Sequence, residues 1–265
     1  MTTPSPQRPD RLQPGYDGVV STRNLLLFGG IALISGWVLL GAAVAFNMPL
    51  EAFVLAVNFL GLLLPALILT WREGGGLAVR RLLRDAVRLP SHWWWLLVAG
   101  LALPAVVWAI SAALGAARPL TLTVLSAFAV QLLSSWIIIN IWEESAWTGY
   151  FQRRAMTQWG TIRGSLLTAL LFAAIHLPLA FADGNLLVNI LALVVSGMGL
   201  RLLIAGVDRW TGGSLLTVGL LHGSFNATST LIEPSHDWVR LAVTLLAGVT
   251  AAIVLTRQHR SDEDQ

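Results

Sequence analysis

The feature that most constrains this chain is a series of apolar stretches. Each is about as long as the roughly 20 residues an α-helix needs to cross about 30 Å of hydrocarbon. Eight such stretches lie near Asn24–Phe46, Leu50–Trp71, Trp93–Leu114, Pro119–Trp142, Gly164–Ala182, Asn185–Gly206, Gly213–Leu231 and Trp238–Thr256. Inside a bilayer every backbone N–H and C=O needs a partner within the protein, which a helix supplies along its own length. The expected fold class is therefore all-α, a polytopic membrane helix bundle of about eight transmembrane helices. Composition agrees: 55 % of residues are hydrophobic and 12 % are charged, against about 25 % charged in an average soluble domain.

The charges orient the bundle. Every basic side chain other than histidine is Arg, and there is no Cys, which excludes disulfides, thiolate metal sites and Cys nucleophiles. With eight spans, Arg8, Arg11, Arg23, Arg72, Arg80, Arg81, Arg84, Arg88, Arg153, Arg154, Arg163, Arg201, Arg209, Arg257 and Arg260 fall on or near one side. Arg118 and Arg240 fall on the other. The positive-inside rule then places both termini in the cytoplasm. The expected organisation is a polar N-terminal segment at 1–23, a membrane domain at 24–256 and a cytoplasmic tail at 257–265. The acidic residues Ser261–Gln265 are expected to be disordered. The net charge of +3 is too small to imply nucleic acid, and the expected surroundings are a lipid bilayer.

The loop after the second span has its own pattern. Gly74-Gly75-Gly76 breaks the chain, and Leu77–Leu89 then sets Val79, Leu82, Leu83 and Ala86 against Arg80, Arg81, Arg84 and Arg88. That is a basic amphipathic helix suited to the headgroup layer. Trp93, Trp94 and Trp95 follow as an interfacial anchor.

Polar side chains within spans are costly, by about 2.5–3.5 kcal/mol each on insertion scales, so the retained ones are informative. Glu143 and Glu144 end the fourth stretch. Adjacent residues on a helix point about 100° apart, so at most one of the two faces a given cavity squarely. His176 ends the fifth apolar run, and Pro178 behind it loosens the helix. His222 and Asn226 are four apart and stack on one helical face, with Gly219 and Gly223 allowing close helix approach. Each feature alone also reads as structural: an interfacial stop, a lone hydrogen-bonding His, helix–helix glue. Together they describe one polar cluster drawn from three spans. A carboxylate with a His can activate water, and a His with an Asn can hold an oxyanion. Alternatively Glu143, His176 and His222 could hold zinc and leave a position for water. There is no HExxH and no GxSxG.

The order Glu-Glu, Phe-x-x-x-His, His-x-x-x-Asn, here Glu143-Glu144, Phe172–His176 and His222–Asn226, resembles the CPBP (CAAX protease and bacteriocin-processing) intramembrane metalloproteases, which include CAAX prenyl endopeptidases. The resemblance spans roughly Trp142–Asn226. It implies an endopeptidase acting on a small peptide or membrane-anchored protein. Glu143 and His176 would activate water, His222 and Asn226 would form the oxyanion hole, Glu144 would orient the site, and Phe172 would shape the cavity. Zinc and metal-independent mechanisms both remain open. One position departs from the family pattern, which continues Glu-Glu-x-x-x-Arg: Thr148 stands where the Arg is expected, and Arg153 or Arg154 is the nearest substitute. That departure also admits a non-catalytic membrane scaffold or immunity protein. A proton-relaying transporter would show a repeat between halves, and none is visible.

Overall fold

A computed structural model describes residues 21–182 and 185–263. The chain is an all-α polytopic bundle. The helices are α1 Thr22–Ala45, α2 Leu50–Ala86, α3 Trp94–Ala113, α4 Leu122–Trp159, α5 Thr161–His176, α6 Leu186–Trp210, α7 Leu215–Ala227 and α8 Asp237–Glu263. Among the described residues, seven helices are long and apolar enough to cross a membrane. The exception is α7, with 13 residues. With the 3₁₀ turn Thr228–Leu231 behind it, it reaches about 27 Å. Nearly all of α7 is buried, so it forms the central post of the bundle rather than a lipid-facing span.

Caps and breaks fall where local chemistry puts them. Ser21, Thr121 and Ser214 each accept a hydrogen bond from a backbone N–H of the first turn of α1, α4 and α7, which satisfies a donor left free at a helix start. Pro65 and Pro104 each lack an N–H and crowd the carbonyl four residues earlier. Both sit just after a widened π stretch, Val57–Leu63 and Val98–Ala102, in which that carbonyl can swing aside. The glycine break is present: Gly74 and Gly75 leave helical geometry, with Gly75 at φ +66°. The amphipathic arm beyond it buries Leu82 and Ala86, while Arg80, Arg81 and Arg84 are exposed.

Three expectations are corrected. The fourth span does not end at Trp142, because α4 runs on to Trp159. Two arginines expected in the loop after that span lie on this helix instead, each buried against a partner. Arg153 pairs with Asp85 and Asp208 at 3.0 and 2.7 Å, and Arg154 with Glu73 at 2.9 Å. The C-terminal helix continues through Glu263, so Ser261–Glu263 are helical rather than disordered. Arg201, expected at the polar edge, lies inside the bundle with no exposed surface. The junction of the fifth and sixth stretches, at Asp183 and Gly184, falls outside the described residues, as does most of the polar segment 1–23.

Helix α4 packs on α7 through glycine. A methyl group at Gly219 would lie 3.0 Å from the Ile141 backbone, and one at Gly223 would lie 3.1 Å from Trp136 N. The Trp136 indole N–H donates to Leu216 O at 2.9 Å and ties the pair together. This contact brings the glutamates of α4 to the level of His222.

Candidate active site

Glu143 and Glu144 sit in a short α-helical turn, Ile141–Glu144, between two π stretches, Ser135–Asn140 and Ser145–Gln152. Widened turns are common at functional sites. The 100° between the two side chains is realised. Glu143 lines a cavity of about 530 Å³ together with His176, His222, Asn226 and Phe172, and Glu144 does not line it. Asn58, Asn140, Gln131, Ser135, Asp237 and Arg240 also border that space. The sequence-derived cluster is therefore assembled, with one member set behind the wall.

Each cavity group is held by a named partner. The Asn140 side-chain amide donates to Glu143 Oε2 at 3.1 Å, and its carbonyl oxygen accepts from Asn226 Nδ2 at 3.4 Å. Asn140 thus links the carboxylate to Asn226. His176 Nδ1 stands 2.7 Å from Phe172 O. A carbonyl oxygen only accepts, so Nδ1 carries the hydrogen and the neutral ring keeps a lone pair on Nε2. The Phe172 ring lies 4.6 Å from His176 and 5.8 Å from His222, and fixes both imidazoles. His222 Nδ1 stands 2.7 Å from Glu144 Oε1 and 3.9 Å from Glu143 Oε2.

Glu144 has no exposed surface. Its carboxylate receives two parallel hydrogen bonds from Arg201, at 2.8 and 2.7 Å, and a third from the Thr148 hydroxyl at 2.5 Å. Two-pronged Arg–carboxylate pairing is the strong, geometrically specific form of this contact. Neither Arg153 nor Arg154 substitutes at the motif. Both are engaged with other acids, and the guanidinium at Glu144 comes from α6. Sequence reasoning missed Arg201 and Asn140. The only signal for Arg201 was a lone charge within an otherwise apolar span. Asn140 stood three residues before Glu143 on an apolar run, a polar residue one turn from the carboxylate.

Among the described residues, no three His, Cys, Asp or Glu side chains converge as a metal site. Glu143, His176 and His222 nevertheless border one cavity, and they are the residues that would hold a metal ion there.

The model of the family described as Type II CAAX prenyl endopeptidase Rce1-like matches residues 93–228. No curated protein matches the chain. The matched stretch covers just over half of the sequence. It runs from the Trp93 anchor through α7 and contains Glu143, Glu144, His176, Arg201, His222 and Asn226. The chain therefore belongs to the type II CAAX prenyl endopeptidase Rce1-like family.

Proposed function

We propose that this protein is an intramembrane endopeptidase of the CAAX type in which Glu143 and His176 activate water, while His222 and Asn226 hold the oxyanion. The observation that carries the reading is the selective lining of the cavity. Glu143, His176, His222 and Asn226 border one cavity, and Glu144 stands behind it with its oxygens already engaged.

The chemistry follows from who can donate and who can accept. A water in the cavity gives a proton to Glu143, aided by the Nε2 lone pair of His176. The resulting hydroxide attacks the peptide carbonyl carbon, and the C=O electron pair moves onto oxygen. Asn226 Nδ2 donates to that oxygen. His222 donates from Nε2 as the imidazolium, because Nδ1 already faces Glu144, and the Glu144 charge offsets the ring's. Glu143 then passes its proton to the departing amide nitrogen as the C–N bond breaks. Buried and dry surroundings make these charge contacts stronger than they would be in water.

The bundle fits a peptide or membrane-protein substrate entering from the bilayer or its cytoplasmic edge. Arg88, Arg153 and Arg154 gather with Asp85, Asp208 and Glu73 at the end of the bundle where α2, α4 and α6 meet. Arg118 pairs with Glu233 where the loops after α3 and α7 meet. The arginine bias supports a cell-membrane protein with both termini cytoplasmic. Residues 24–256 form the protease domain on this reading, with residues 257–265 as the tail.

The test is Glu143→Gln and His222→Ala in purified protein. The probe is an internally quenched farnesylated peptide ending in a CAAX sequence, run beside a membrane peptidome comparison of cells expressing each form. Both substitutions should remove cleavage by at least about 100-fold while the protein still inserts. Cleavage by the Glu143→Gln protein at the wild-type rate, or no product that depends on the chain in either assay, would sink the proposal.

A further inference from the structure

We infer that Arg201 is a positioning residue of the proposed hydrolytic centre: it holds Glu144, and through Glu144 it fixes the orientation of the His222 ring. The inference rests on the proteolytic reading above.

Arg201 is a fully buried cation in the middle of α6, and such a charge is retained in a membrane span only when it is used. It does not border the cavity, so it does not touch substrate. Its reach is through two contacts. The first is the doubly bonded Glu144 carboxylate. Glu144 Oε1 accepts from Arg201 Nη2 and stands at the same 2.7 Å from His222 Nδ1. The guanidinium holds that carboxylate in plane, so His222 Nδ1 donates to it and Nε2 is turned to the reaction. The second is the Phe172 ring, with the guanidinium 4.4 Å above its centre. The same ring rests on both His176 and His222. One buried cation thus bears on both imidazoles.

Other buried arginines make the contrast. Arg153 and Arg154 tie acids of α2 and α6 to α4, and neither contacts a cavity group. Thr148 completes the case. Its hydroxyl is 2.5 Å from Glu144 Oε2 and 3.4 Å from Arg201 Nη1. An Arg at 148 would bring a second buried cation to the same carboxylate, and its desolvation would have no further acid to offset it. A short hydroxyl at 148 is what Arg201 requires.

The test uses protein in lipid nanodiscs, the quenched farnesylated peptide as probe, and ¹⁵N-histidine spectra as a readout independent of substrate. Arg201→Ala should lower kcat by about 100-fold with KM within about twofold, and should change the His222 ring-nitrogen pattern. Thr148→Arg alone should also be impaired. Thr148→Arg combined with Arg201→Ala should recover most of the activity and the wild-type His222 pattern. Arg201→Lys keeps the charge and guards against misfolding, and should lose about tenfold in kcat because one point contact replaces two. A folded Arg201→Ala or Arg201→Lys protein with wild-type kcat and an unchanged His222 spectrum overturns the inference. So does a double variant no better than Arg201→Ala. If the wild type leaves the probe uncut, the proposed function is what fails, and the His222 spectra still decide the role of Arg201.

Discussion

Substituting Gly219 with Ala asks whether the spacing between α4 and α7 sets the reaction geometry. An added methyl would lie 3.0 Å from both Cα and N of Ile141. Ordinary contact between such atoms begins near 3.4 Å, and these are backbone atoms that cannot rotate away. The two helices must therefore separate by about half an ångström, or α7 must tilt. His222 lies one turn beyond Gly219, and Glu143 lies two residues beyond Ile141. The strain falls directly on the 2.7 Å contact between His222 and Glu144 and on the link from Asn226 to Asn140. A misplacement of about 1 Å can cost about 10²-fold in rate, so half that displacement should cost roughly tenfold in kcat. Overpacking should also lower stability by about 1–3 kcal/mol. The measurement is steady-state cleavage of the quenched peptide together with thermal unfolding in nanodiscs. Gly30→Ala, where nothing lies within 4 Å, serves as the neutral comparison. A Gly219→Ala protein with wild-type kcat would refute the idea that helix spacing holds the catalytic groups in register.

Asn140→Ala should loosen Glu143 and Asn226 together and lower kcat by about tenfold or more, since both lose their shared partner; the Asn226→Ala variant combined with it should lose less than the two single effects multiplied. Arg153→Met strands Asp85 and Asp208 as buried charges and should cost about 3–5 kcal/mol of stability, read by thermal unfolding, with little change in kcat of the folded fraction. Exhaustive treatment with 1,10-phenanthroline or EDTA should leave cleavage within about twofold on the proposed mechanism, in which Glu143 and His176 activate the water themselves; loss of activity restored by added zinc would contradict this.

Much of this architecture was legible in the chain because a bilayer leaves few options. Apolar length fixed the helices, and the scarcity of polar residues within them singled out Glu143, Glu144, His176, His222 and Asn226. What could not be read was which polar residue meets which. The adjacent glutamates look equivalent in sequence. Their roles separate only because α6 delivers Arg201 to Glu144 across 57 positions. The extension of α4 to Trp159 was hidden for the same reason. Arg153 and Arg154 read as loop charges on the cytoplasmic side until Asp85, Asp208 and Glu73 arrive from elsewhere in the chain to neutralise them. The seventh apolar stretch, Gly213–Leu231, showed a helix but not its length or surroundings: α7 has 13 residues, nearly all covered by protein.

The wide turn just before the glutamates has an evolutionary consequence. A π stretch such as Ser135–Asn140 holds one residue more than the same length of α-helix. Deleting one residue there would let the turn relax to α-helix and leave everything after it in place, Glu143 and Glu144 included. The wide turn thus acts as slack in front of the site. A one-residue loss that would rotate the glutamates off the cavity behind a regular α-helix would here be absorbed before it reached them.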